Sequence, residues 1–340
     1  MRQPPTRLLL LLLLACAVRP GSALQLEVLR PVASLPPHIV GLFEEPIGFQ
    51  QPPGGAYYVF DRRAHAVFTV DADRSAARKL VEIGPEMGRI IQPRGFDVAA
   101  NGSFVIADAP RAQERIQIFG GGGIRTNGFF LPGTPVAGVS FGNFVLSGVA
   151  AIQYSGQRLI VSHPESGALF TEYSLGGSPL RNIGRLRATG FESDRELHVA
   201  LNAGLPLIDP TGGYYYVFPA GRPMFRKYGA DGTLLYERHI EGRELDGYLA
   251  SMPTRWPARR LGDRQLPYVA PIVKSAAVSP GGELWISLTL PYTYVYDRDG
   301  DKSRTVQFNA TGPFSPTSMS FTATGRLLVT PGCFEFEPGS

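Results

Sequence analysis

The side chains that could do chemistry are few and scattered along the 340 residues. Histidine occurs only at His38, His65, His163, His198 and His239, and no two stand at a metal-ligating spacing such as H-x-x-x-H. Gly138-Val139-Ser140-Phe141-Gly142 has the form G-x-S-x-G. That serine acts as a nucleophile only where a strand-to-helix turn lifts it above a parallel sheet. The following residues, 143–152, read as loop and strand, so a glycine-rich connection is expected here and no catalytic residue. Asp297-Arg298-Asp299-Gly300-Asp301 opens like a calcium loop, but Lys302 stands where the loop needs glycine and Phe308 where it needs a bidentate glutamate. An Asp-Gly hairpin explains it better. Gly120-Gly121-Gly122-Gly123 lacks the lysine and helix of a phosphate loop and reads as a turn. No metal and no cofactor is implied by any of these.

A second set has meaning only if the fold gathers it. Glu45, Asp61, Arg94, Asp108, His163 and Lys274 lie at the ends of apolar runs or just before them, and Arg255-Trp256 lies in a long segment between two such runs. The pattern that could gather them is clearest in residues 90–119. A Pro-Arg-Gly turn leads into Phe96-Asp97-Val98-Ala99, Asn101-Gly102 turns the chain, and residues 104–107 form an apolar run ending in Asp108. A further alternating segment, Arg115-Ile116-Gln117-Ile118-Phe119, follows a polar loop. Period-two alternation broken by such turns is the mark of a β-meander.

Comparable runs recur at 57–60, 159–161, 214–218, 284–288 and 327–330, each after a glycine-containing turn. A lone meander cannot bury both faces of its sheet, so six of them predict an all-β, six-bladed β-propeller with four-stranded blades. The last unit has only three strands, at 317–321, 326–330 and 333–336. The unassigned N-terminal strand at residues 24–30 is expected to supply the fourth and close the ring, leaving no open edge. In such a ring the ends of the second strands and the blade-entering loops share one face. Glu45, Asp61, Arg94, Asp108, His163 and Lys274 would then form a channel rim, with Arg255 and Trp256 beside it on an insertion at about 243–271. Each of these residues also suits a plainer part, as a solvated loop residue or a turn cap.

Residues 1–23 have the form of an export signal: Arg2 and Arg7, an unbroken leucine run at 8–14, then the small residues Gly21-Ser22-Ala23. The apolar run is too short to span a bilayer. Leu13-Leu14-Ala15-Cys16 also resembles a lipobox, which would leave a lipidated Cys16 as the mature N-terminus. Two fates follow, secretion or periplasmic release against a lipid anchor. In either case residues 24–340 form one propeller domain. The export segment holds Arg2, Arg7 and Arg19 and no acid, so its loss takes the formal net charge from +4 to +1. A chain this near neutrality offers no electrostatic case for nucleic acid. Cys333 is then the one remaining cysteine, and an intramolecular disulfide is not available.

Residues 91–98, IQPRGFDV, with Asn101-Gly102, Val105-Ile106-Ala107-Asp108 and residues 115–119, resemble an NHL repeat. Residues 277–286 and Val295-Tyr296-Asp297 match it more loosely. The chain as a whole resembles the NHL-type and TolB-like six-bladed propellers of bacteria. That group includes binding scaffolds, lactonases and lyases, so the resemblance implies a fold more firmly than an activity. The expected function is an exported, non-catalytic binding or scaffolding module at the cell envelope, with a protein or small molecule on the channel face. The alternative is a metal-dependent lactonase or lyase, which would need acidic, Asn or His ligands converging on the axis. Asn101-Gly102-Ser103 and Asn309-Ala310-Thr311 fit glycosylation sequons, relevant only in a host that uses them.

Overall fold

The computed structural model describes residues 26–132, 139–141, 144–146 and 151–339. The expected export segment with Cys16 lies outside these residues, as do Gly138 and Gly142 of the serine motif. Six antiparallel sheets of the expected kind follow one another along the chain. Blade one comprises Pro46–Gln50, Tyr57–Asp61, Ala66–Val70 and Ala77–Val81, and blade two Gly95–Val98, Phe104–Asp108, Arg115–Phe119 and Arg125–Phe130. Blade three comprises Ala151–Tyr154, Arg158–Ser162, Ala168–Ser174 and Pro179–Arg185, and blade four Leu205–Ile208, Tyr214–Phe218, Met224–Tyr228 and Leu234–His239. Val273–Val278, Leu284–Leu288, Thr293–Tyr296 and Lys302–Asn309 make blade five, and Ser318–Phe321, Leu327–Thr330 and Phe334–Phe336 begin blade six.

Closure comes from the N-terminal side, as the strand deficit predicts, but from a different segment. Ala33–Ser34 pairs antiparallel with Phe334–Phe336 and is the fourth strand of blade six. Leu26–Leu29 lies one blade away, parallel to Lys302–Asn309. Its alternation has its own explanation: Leu29 is buried, Glu27 pairs with Arg304, and Leu26 and Val28 face outward. Pro31 separates the two extended pieces, so each takes a different blade edge.

Burial occurs at the seams between blades. Phe60 of blade one stacks on Phe96 of blade two with ring centroids 5.0 Å apart, and Phe170 of blade three stacks on Tyr216 of blade four at 5.7 Å. Each of the six seams has its own apolar cluster, the closing one joining Leu328 and Cys333 to Phe49, Tyr57 and Val59. A Phe or Leu so placed contributes roughly 1.5–3 kcal/mol over leaving it exposed.

Antiparallel order sends connections alternately to two faces. One face holds tight turns fixed by side chains: Asn101 and Asp209 each accept from an amide two residues on, as do Asp231 and Asp297. Asp297 also accepts from Asp301 N, and Gly300 takes φ +83°, so the calcium-like sequence is the expected hairpin. The long connections go to the other face. There Val139–Phe141 and Phe144–Leu146 join Arg264–Val269 and Ala258–Leu261 in a separate four-stranded sheet. Ser140 therefore sits in a strand followed by a strand, without the helix a nucleophile elbow requires.

Candidate functional site

The inner strands of the blades surround a cavity of about 610 Å³ that opens toward the face with the long connections. Glycine sets its width at two places. A Cβ at Gly95 would meet Ile152 Cγ2 of the next blade at 2.7 Å, and one at Gly48 would meet Phe96 at 3.0 Å. Side chains tie neighbouring inner strands together. Gln50 donates to Asp97 at 3.0 Å and accepts from Val98 N at 2.8 Å, and Asp97 accepts from Tyr154 N at 2.6 Å. Burial raises the Asp97 carboxyl to about 6, against the pull of the Tyr154 and Gln50 donors.

The charges at the mouth come from three blades. Glu45, just before blade one, is paired with Arg62, whose Nε donates to it at 3.1 Å. Arg94, entering blade two, lies 3.5 Å from the buried Glu114. Lys274 sits at the start of blade five, where the ladder register skips from Val273 to Ser275. A bulge of this kind takes a residue out of the ladder and re-aims its side chain. Ile47 stands at the same kind of skip in blade one, and both residues line the cavity. Between these charges the wall is apolar on blades two to four, with Phe96, Ile152, Leu205 and Leu207. On blades five and six it carries hydroxyls: Ser275 donates to Pro316 O, and Ser318 shares a hydrogen bond with Thr330.

The separate sheet caps this mouth. Tyr268 and the following Ala270 and Pro271 line the cavity. Behind the sheet, helix Arg195–Asn202 is capped by Asp194, which accepts from Leu197 N at 3.1 Å. Its Leu197, Ala200 and Leu201 bury against Val269 and Ala220. Arg187 anchors the arrangement by donating to the carbonyls of Leu201 and Ala220 while stacking on Phe218. Burial lowers its pKa to about 10, so it remains a cation at neutral pH.

Of the expected rim residues, Glu45, Arg94 and Lys274 meet at this cavity. Asp61 and Asp108 do not: both are fully buried and clamp turns. Asp61 accepts from the amides of Glu44, Glu45 and Ala64, and Asp108 from Ile91 N and the Arg115 guanidinium. His163 lies beside Glu165 at 3.5 Å, in the loop after the second strand of blade three and outside the cavity lining. Trp256 is half-buried in the cluster beneath the cap, while Arg255 is exposed; neither lines the cavity. Sequence reading missed Arg62, Tyr268 and the hydroxyls of blades five and six. For Arg62 the signal was present, since it directly follows Asp61.

Among the described residues no three His, Cys, Asp or Glu side chains converge as metal ligands. The carboxylates nearest the mouth are each engaged, Glu45 by Arg62 and Glu114 by Arg94. Such a donor set suits recognition of a ligand through charge and shape.

Neither any family model nor any curated protein matches the chain. Among solved structures it is similar to virginiamycin B lyase from Staphylococcus aureus, with a TM-score of 0.50, 11% identity, and coverage of 84% of this chain and 77% of that one. A streptogramin B lyase gives a TM-score of 0.48 at 12% identity, covering 86% and 92% of the two chains. The WD40 propeller domain of Doa1 gives 0.49 at 9%, covering 91% and 95%. At such identity the likeness concerns the fold, and the chain is a six-bladed β-propeller.

Proposed function

We propose that the chain is an exported, non-catalytic binding or scaffolding propeller of NHL-like type whose ligand occupies the capped channel. The observation that carries this reading is the meeting of Glu45, Arg62, Arg94 and Lys274 with an apolar wall in one cavity. Pockets that bind small molecules have this character, largely apolar with a few placed polar groups. The leucine-rich leader at 8–14 supports the export part of this reading, with Cys16 as its lipid-anchoring variant. Among the described residues no helix is long and apolar enough to cross a membrane.

Native mass spectrometry of protein isolated undenatured from its own host's envelope fraction tests the reading. It predicts a retained small molecule or peptide, lost from an Arg94→Ala, Lys274→Ala variant. Stoichiometric divalent metal together with turnover of a lactone would overturn it.

A further inference from the structure

The chain contains only four lysines against its many arginines, and three of them are engaged. Lys79 lies over the Phe68 ring at 5.6 Å, Lys302 over Tyr294 at 3.4 Å, and Lys227 pairs with the buried Asp209. Lys274 alone has neither acid, carbonyl nor ring as partner among the described residues, and it is the one that lines the channel. Its position is enforced by the bulge between Val273 and Ser275.

We infer that the channel is a site for a small organic anion with an apolar body, its acidic group on Lys274 and its body against Phe96 and Ile152. This inference rests on the binding reading above and specifies the ligand class. Three features support it. The other mouth charges, Arg62 with Glu45 and Arg94 with Glu114, come as opposed pairs, so the cavity's local excess of charge is positive. Flanking blade six brings the Ser318 and Ser320 hydroxyls to the same lining, where they can donate to an anion beside Lys274. Across the ring the wall offers the Phe96 ring and the Ile152 side chain. An ammonium, unlike a guanidinium, recognises carboxylate or phosphate as a point charge and sets no bidentate geometry, so the class is defined by charge and apolar body.

With four lysines, reductive ¹³C-methylation gives a sparse NMR spectrum that keeps every charge, and Lys274→Arg assigns the channel signal. The probes are benzoate, its neutral counterpart benzamide, and inorganic phosphate. The inference predicts a saturable shift of the Lys274 signal with benzoate, with Lys79, Lys227 and Lys302 unmoved. In saturation-transfer measurements Lys274→Gln should weaken benzoate about tenfold, the effect of one partly desolvated ion pair, and leave benzamide unaffected. Phosphate binding at Lys274 as tight as benzoate would overturn the apolar-body half. Equal saturable binding of benzoate and benzamide would overturn the anion and leave the channel reading standing. Absence of saturable binding by either organic probe, or parallel drift of all four lysines, would overturn both.

Discussion

Two seams of the ring hold the same four-residue arrangement and assemble it differently. Between blades three and four, the buried Glu172 takes Arg158 at 2.6 Å and Arg181 at 2.9 Å, and Arg181 reaches Tyr214 of the next blade at 3.1 Å. At the closing seam, the buried Glu335 takes Arg326 at 2.6 Å, Arg74 at 2.5 Å and Tyr57 at 2.8 Å. Glu172 and Glu335 hold the same place in their blades, pairing with Ile160 and Leu328 of the second strands. The second arginine differs in origin. Arg181 comes from the outer strand of its own blade, whereas the outer strand of blade six is only Ala33–Ser34 and offers none. Arg74 of blade one reaches over instead, also donating to Ser34 O. Where the chain is continuous the cluster decorates a seam already joined by covalent connection; where it is not, the cluster bridges both chain ends.

The largest expected effect comes from removing the closing strand itself. A chain beginning after Leu35 loses Ala33–Ser34 and the buried Leu35 side chain and should fail to give a cooperative thermal transition. A chain beginning at Pro31 loses only Leu26–Leu29 and should unfold cooperatively at a modestly lower temperature. Equal loss in the two truncations would mean that closure does not depend on Ala33–Ser34.

Next in size is the buried carboxylate. Glu335→Ala leaves two guanidinium groups facing each other beside the buried Tyr57 hydroxyl and should cost about 3–5 kcal/mol in denaturant unfolding. Glu172→Ala should cost less, about 1–3 kcal/mol, because Arg158 is more than half exposed and regains water. A larger loss for Glu172 than for Glu335 would remove the distinction between the seams.

An effect of a different kind is a pH dependence inside the channel wall. The Asp97 carboxyl is raised to about 6 by burial, so the folded chain holds this proton more tightly than the unfolded one. Its contribution is fully present below about pH 4 and is lost as pH rises through about 6, on the order of 3 kcal/mol. Asp97→Asn should flatten the stability-against-pH curve in that window, and an unchanged slope would contradict the assignment.

The two faces were unequally legible in sequence. The turn face could be read directly, because Asx turns and left-handed glycines such as Gly102 and Gly300 announce themselves locally. So could the blade count, since a short apolar run after a glycine-containing turn marks each second strand. Ala33–Ser34 is too short to carry any periodicity, and the stronger alternation of Leu26–Leu29 drew the closure to the wrong segment. The cap was illegible because its sheet pairs residue Ser140 with Tyr268, a parallel contact between two insertions that no local pattern encodes. Strand-end position placed Asp61, Asp108, Arg94 and Lys274 in one group. What separated them was burial against amides for the aspartates and, for Lys274, a bulge visible only in the register.

The channel as a ligand site is tested most directly by soaking crystals of the chain in 4-bromobenzoate and locating bromine by anomalous scattering. The account predicts a peak in the cavity beside Phe96 and Ile152, with the carboxylate toward Lys274. Bromine confined to the outer cleft lined by Arg226 and Tyr228, or a channel without a peak at saturating soak, would contradict it.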